Sequence, residues 1–298
     1  MKEYENYIKL INQSLNDNVK NIKLISDTNN IVFRVESSKY GIVYAKFYLN
    51  MSSHIDNELY LYNILDKKYL KDVIIFSEKP KFAIFKELRG NTIDEIIQNN
   101  QLSFYKEKII ESIIYFYETI GKSKIEGFGL LDEKLKGSSN NFKEFIIKRQ
   151  LDTQRVLEDY PMLNNAFSKI FEKYEYLISE DNSLVPIDTN TKNIMITESG
   201  DVKFIDPGEL ISGPKLMGYG DFVAHIYKTE LYDCLIERLD LSENDQKLLR
   251  IYAVFSSLNV LAFLKNIGVN DLEQVIPYGN NYTFYSLIEE HLKNLEII

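Results

Sequence analysis

Residues 185–209, VPIDTNTKNIMITESGDVKFIDPGE, constrain the fold of this chain more than any other stretch. Ile194, Met195 and Ile196 read as one strand, Glu198-Ser199-Gly200-Asp201 as a turn, and Val202, Phe204 and Ile205 as a second strand. Asp188 and Asn193 stand just before this hairpin and Asp206 just after it. A tight hairpin brings its ends together, so the three polar side chains are expected to converge. Hard oxygen donors at one point suit Mg²⁺, which is held by one or two carboxylates together with substrate phosphates.

The spacing adds to this. Asp188 and Asn193 form D-x-x-x-x-N, and Asp206-Pro207-Gly208 stands where a protein kinase has D-F-G. In that pattern the first Asp accepts the proton of the attacking hydroxyl, and the Asn and second Asp hold the metal that bridges the nucleotide phosphates. Asp and Asn also favour ordinary turns, so the motif draws its weight from the hairpin and from Asp206.

A length of 298 residues fits one large domain or two lobes, and 45% hydrophobic residues can fill a sizeable core. No run of about eighteen apolar residues suggests a membrane span. The start, MKEYENYIKLINQ, carries acids and has no apolar stretch of the signal-peptide kind. Cys234 is the single cysteine, which excludes an internal disulfide and fits a reducing cytoplasm. A net charge of −9 argues against nucleic acid as a partner. After Leu210 the chain carries 12 Asp and Glu against 7 Lys and Arg, compatible with a cationic small substrate as well as with ordinary solvated helix faces.

Residues 1–15 read as an amphipathic helix. Period-2 apolar runs (Ile22 and Leu24; Ile31, Phe33 and Val35; Ile42, Tyr44 and Phe47) predict three antiparallel strands, with Lys46 in the third. A helix follows, with Ser53 as N-cap, Asp56 supporting it and Glu58 bordering its buried face. Residues 73–76 and 82–85 complete a five-stranded sheet. Glu87 and Leu88 come next as a hinge whose backbone could meet a purine, and Gly90 ends the extended run. Thr92 and Glu95 form a capping box. Helices are expected over 102–121, 142–157 and 162–178, the last two parted at Pro161. Gly213, Gly218 and Gly220 mark an irregular loop, after which Asp221 begins or caps a helix. Residues 241–267 and 282–295 are further helices. His54, His225 and His291 are far apart in sequence and are not assigned chemistry.

Four stretches together resemble the aminoglycoside phosphotransferase and choline kinase-like family: TNNIVFRV, FAIFKELRGNTI, GFGLLDEKLKGSSNNFKEFI and the hairpin segment extended through GELISGPKLMGYGDFVA. The resemblance implies an α+β, bilobal, protein-kinase-like fold. Its N-terminal lobe, residues 1–88, would hold the five-stranded antiparallel sheet with one helix. Residues 89–298 would form a mainly helical catalytic and acceptor-binding lobe, with a helical insert at about 131–180. By this likeness Lys46 contacts the phosphates of ATP or GTP, and Glu58 positions Lys46. Glu87 and Leu88 supply the hinge, and Asn30 belongs to the loop over the nucleotide. Asp188 takes the acceptor proton, and Asn193 and Asp206 hold Mg²⁺. A monomer acting on a hydroxyl of an aminoglycoside or related cationic antibiotic follows as the leading expectation.

Two departures leave other readings open. Pro186 stands where the family carries a His, and the loop Ser26-Asp27-Thr28-Asn29-Asn30 has no glycine to let backbone N–H groups approach phosphates. A nucleotide-binding protein without transfer activity is one alternative. A housekeeping kinase for choline, a sugar or a modified amino acid is the other.

Overall fold

Strands β1 (Val19–Asp27), β2 (Asn30–Ser37), β3 (Gly41–Tyr48), β4 (Val73–Glu78) and β5 (Lys81–Lys86) form an antiparallel sheet in the order β1-β2-β3-β5-β4. The computed structural model describes residues 4–17, 19–27, 30–49, 53–277 and 281–298, without the side chains of residues 53 and 54. Thr28 and Asn29 of the glycine-free loop, and the Ser53 cap and His54 side chains, lie outside the described residues.

Successive strand side chains point to opposite faces, and β3 uses both. Val43, Ala45 and Phe47 face helix α1 (Glu5–Leu15), whose Ile11 and Leu15 are one turn apart and fully buried. Lys46 and Tyr48 face the other way, toward helix α2 (Ser53–Ile64). The predicted run Ile42, Tyr44 and Phe47 therefore mixes the two faces: Ile42 and Tyr44 are only half-buried, and Val43 and Ala45 make the core. Small Ala45 gave no apolar signal strong enough to set the register.

The second lobe begins with β6 (Gly90–Thr92), α3 (Ile93–Gln98) and α4 (Leu102–Ile120), and the Thr92–Glu95 capping box is formed. Gly90 does not end the extended run. It opens β6, which pairs with β10 (Ile194–Thr197), itself paired with β11 (Val202–Phe204). A Cβ on Gly90 would stand 2.0 Å from the Ile196 carbonyl oxygen. Gly90→Ala is therefore expected to cost about 1–3 kcal/mol through forced overpacking, seen as a lowered Tm. An unchanged Tm would mean that β6 and β10 can part without loss.

A second small sheet runs β8-β7-β12-β9, from β7 (Phe128–Leu131), β8 (Gly137–Ser139), β9 (Ser183–Pro186) and β12 (Leu210–Gly213). Pro186 ends edge strand β9, where a missing N–H costs no ladder bond. Helices α5 (Phe142–Val156) and α6 (Pro161–Tyr174) lie between, with Pro161 in the first turn of α6. The chain closes with α7 (Lys215–Ile226), α8 (Glu230–Leu239), α9 (Glu243–Asn266) and α10 (Phe284–Asn294).

Two expectations change here. Gly218 and Gly220 lie inside α7 rather than in an irregular loop, so Asp221 neither begins nor caps that helix. A Cβ on Gly218 would stand 2.9 Å from Val185 Cγ1, and one on Gly220 would stand 2.5 Å from Tyr252 Cβ. The glycines let α7 press against β9 and α9, and that packing outweighs their poor helix propensity. Helix α9 is long and apolar enough, by length and composition, to cross a membrane, which the apolar-run criterion missed. It packs against α5, α7 and α10 and buries Ile251, Val254, Phe255 and Leu258, as a core helix does.

Candidate active site

The β10–β11 hairpin pairs Ile194 with Phe204, and the Ile205 N–H donates to the Asn193 carbonyl at 2.8 Å. Asn193 and Asp206 are thus brought to one end of the hairpin. The Asn193 amide then donates to the Asp188 backbone oxygen at 2.9 Å and to Asp188 Oδ2 at 3.1 Å. Asp188 has φ +66°, a left-handed conformation uncommon outside glycine but tolerated by Asp and Asn.

The loop after Asp188 is anchored by groups that the sequence reading did not connect to it. Asp221 Oδ2 accepts from the Thr189 N–H at 2.9 Å and from Thr189 Oγ1 at 3.1 Å. Ser256 of α9 donates to Asp221 Oδ1 at 2.5 Å, and the Tyr117 hydroxyl of α4 lies 2.6 Å from Thr189 Oγ1. Asp221, read from the sequence as the start or cap of a helix, does its work from mid-helix. Its Oδ2 holds the loop that presents Asp188, and its Oδ1 is fixed by Ser256 of α9.

On the sheet side, Lys46 Nζ lies 2.6 Å from Asp206 Oδ1 and 3.3 Å from Glu58 Oε1. Tyr48, not singled out in the sequence, donates its hydroxyl to Glu58 Oε2. Asn57 of α2 donates to the Gly208 carbonyl at 2.9 Å and ties that helix to the segment after Asp206. Burial opposes the Lys46 charge, and the Glu58 and Asp206 carboxylates more than restore it, so its pKa lies above the usual lysine value. Burial alone would raise Asp206; Lys46 and then Lys71 pull it down to about 2. Lys71 is a second cation that no motif announced. Its Nζ stands 3.8 Å from the centre of the Phe85 ring, and burial lowers its pKa.

The remaining predicted residues are placed as follows. Glu87 and Leu88 follow β5, but the Glu87 N–H already donates to the Ile42 carbonyl at 3.1 Å. Glu87 therefore cannot serve as a hinge N–H donor, and only its carbonyl is left for that role. Asn30 opens β2 opposite Tyr48 of β3. His225 and His291 are buried, the latter against the Tyr227 ring.

Below Asp188 a cavity of about 650 Å³ opens among α5, α7, α9 and the α10 end. Arg149, Glu209 and Asp221 stand with Asp188 at one part of its wall. Partial removal from water at the cleft wall, and then the charges of Glu209 and Asp221, push the Asp188 carboxyl up to about 7. The cleft is open to solvent at Asp188, so water screens part of this penalty. A proton acceptor at this position must be ionised to work, so an activity that uses it is expected to rise with pH through a limb at or below 7. Glu209→Gln removes one of the negative neighbours and should move that limb to lower pH. A limb that stays in place would remove Glu209 as a cause.

Mg²⁺ can be tested against the groups present. The Asn193 amide oxygen accepts no hydrogen bond among the described residues, and the Asp206 side chain is 43% exposed. One carboxylate and one amide oxygen, brought to the same end of the hairpin, form the sparse hard-oxygen set that Mg²⁺ shares with phosphates. The residues present are compatible with that ion, and Asn193 and Asp206 are the groups that would hold it.

Sheet, α2 pair, hairpin loop and helical lobe define a bilobal protein-kinase-like fold. Among solved structures, the chain matches aminoglycoside phosphotransferase APH(4)-Ia at TM-score 0.70 and 15% identity, over 97% of both chains. A thermostable mutant of that enzyme in ternary complex with AMP-PNP and hygromycin B matches at TM-score 0.69 and 14% identity, over 96% of both chains. Choline kinase LicA from Streptococcus pneumoniae matches at TM-score 0.63 and 16% identity, over 98% of this chain and 99% of that one. No family model and no curated protein sequence matches the chain.

Proposed function

We propose that this chain is a small-molecule kinase that moves the γ-phosphate of ATP or GTP to a hydroxyl. The observation that carries the reading is Asp188, oriented by Asn193 and set between the Lys46–Asp206 pair and the 650 Å³ cavity. The nucleotide lies between lobes meeting at residues 88 and 89, with its phosphates at Lys46. Glu58 and Tyr48 keep the Lys46 ammonium in place. Mg²⁺ bound by Asn193 and Asp206 supplies neutralisation of phosphate charge. In the transfer, the acceptor hydroxyl oxygen forms the new bond to the γ-phosphorus. Its proton goes to the Asp188 carboxylate, and the bond to the β–γ bridging oxygen breaks with its electrons, releasing the nucleoside diphosphate. Most of the rate comes from positioning and charge, not from covalent participation.

The acidic C-terminal region makes a cationic hydroxyl compound, an aminoglycoside for instance, the first acceptor class to screen, and the lone Cys234 suits a reducing cytoplasm. The test is consumption of ATP or GTP by the purified protein with Mg²⁺ against aminoglycosides, other antibiotics, choline and sugars. Turnover that vanishes in Asp188→Ala supports the reading. Mg²⁺-dependent nucleotide binding with no transfer to any acceptor would favour the non-transferring alternative.

A further inference from the structure

The cavity below Asp188 is graded along α9. Tyr252, Ser256, Asn259, Val260, Phe263 and Leu264 all line it and recur at helical spacing, so one face of α9 forms the floor. Twelve steps of 1.5 Å from Tyr252 to Leu264 make this floor about 18 Å long. Its inner end is polar, where Ser256 meets Asp221. Asn259, next along, is already held by Thr153 at 2.8 Å. Its outer end is apolar, and Val269, Val275, Ile276 and Pro277 face it from the chain between α9 and α10. Phe263 and Ile276, which line the cavity, are 54% and 48% exposed, so apolar surface continues to the mouth. Apolar side chains left half-open around a cleft mark a binding surface more than a solvated one.

Asp188, Glu209 and Asp221 face one guanidinium, Arg149, at the inner end, so charge there tolerates a cationic head, and the outer cavity decides the rest of the ligand. Asp221 is taken by Thr189 and Ser256, and Asp188 is needed for the proton. Glu209 and Arg149 attract each other without forming an ion pair, and neither side chain has a hydrogen-bond partner among the described residues. Beyond them ten apolar side chains line the cavity and give a further charged group of a ligand no partner.

We propose that the acceptor is a hydroxylated amphiphile. Its compact polar head presents the hydroxyl to Asp188, and its apolar body fills the outer cavity against Phe263, Leu264, Val275 and Ile276. This rests on the kinase reading for the fate of the hydroxyl, but the ligand class rests on the cavity alone. A cavity of this size holds a drug-sized body.

The experiment uses n-alkyl β-D-glucosides from butyl to octyl, below their micelle concentrations, with kanamycin as a polycationic sugar that lacks an apolar body. Binding to the full chain is measured by calorimetry with and without Mg²⁺ and AMP-PNP, alongside binding of AMP-PNP itself. Each added CH₂ that enters the outer cavity is expected to tighten Kd about fourfold, the factor for burying one methylene. Phe263→Ser and Ile276→Ser replace half-exposed side chains, so folding is preserved, and each should flatten the series. A Kd independent of alkyl length overturns the proposal, as does a series unchanged in both variants or kanamycin binding tighter than octyl glucoside. Nucleotide binding with a flat series would sink the amphiphile and leave the kinase reading standing. A graded series without nucleotide binding would do the reverse.

Discussion

Asp188→Ala is expected to lower kcat by about 10²–10⁴-fold, the range for loss of a positioned general base, while leaving nucleotide affinity largely intact. The asymmetry follows from the geometry. Asp188 touches Asn193 and faces the cavity, whereas the phosphate-side cluster is Lys46, Glu58 and Asp206. Alanine also removes a residue that tolerates φ +66°, so a fall in rate could come from a shifted loop. Asp188→Asn answers this, because Asn tolerates the left-handed region about as well as Asp and lacks only the proton-accepting charge. Both variants should lose turnover, measured as kcat in a coupled assay, with the nucleotide KM near wild type. Near-full turnover in the asparagine variant would remove Asp188 as the proton acceptor.

Asp206→Ala is expected to abolish Mg²⁺-dependent nucleotide binding, a loss beyond the roughly 100-fold seen when a metal site loses a supporting partner. Calorimetry with AMP-PNP, with and without Mg²⁺, reads it directly. Lys46 keeps Glu58 and Tyr48 in this variant, so the lysine should remain oriented and metal-free nucleotide binding should change much less. Equal losses with and without Mg²⁺ would point to a collapsed lysine site and not to a missing metal ligand. Binding unchanged under both conditions would take Asp206 out of the metal site.

Much of this site was legible in the chain because its parts are local. Asp188, Asn193 and Asp206 flank one short hairpin, and a hairpin's register follows from its turn and its apolar alternation, both visible in the sequence. The Thr92–Glu95 box and Pro161 at the start of α6 are equally short-range signals. Lys46 and Glu58 were found by family likeness; their contact, across α2 and β3, was not something spacing could yield.

What the sequence alone determined is therefore the five strands as elements, the hairpin and the order of its carboxylates, each set by residues near each other in the chain, whereas the β3–β5 pairing joins strands separated by α2. Tertiary structure alone decided three things. Asp221 works from the middle of α7, because the glycines that looked like a loop are close contacts with β9 and α9. The Glu87 N–H is spent inside the sheet, because strand register brings it to Ile42. The cavity wall joins Arg149, Glu209, Tyr252 and Ile276 from four separate parts of the chain. Net charge averages over every side chain of the region, whereas a ligand meets only those that packing turns inward, and here most of these are apolar.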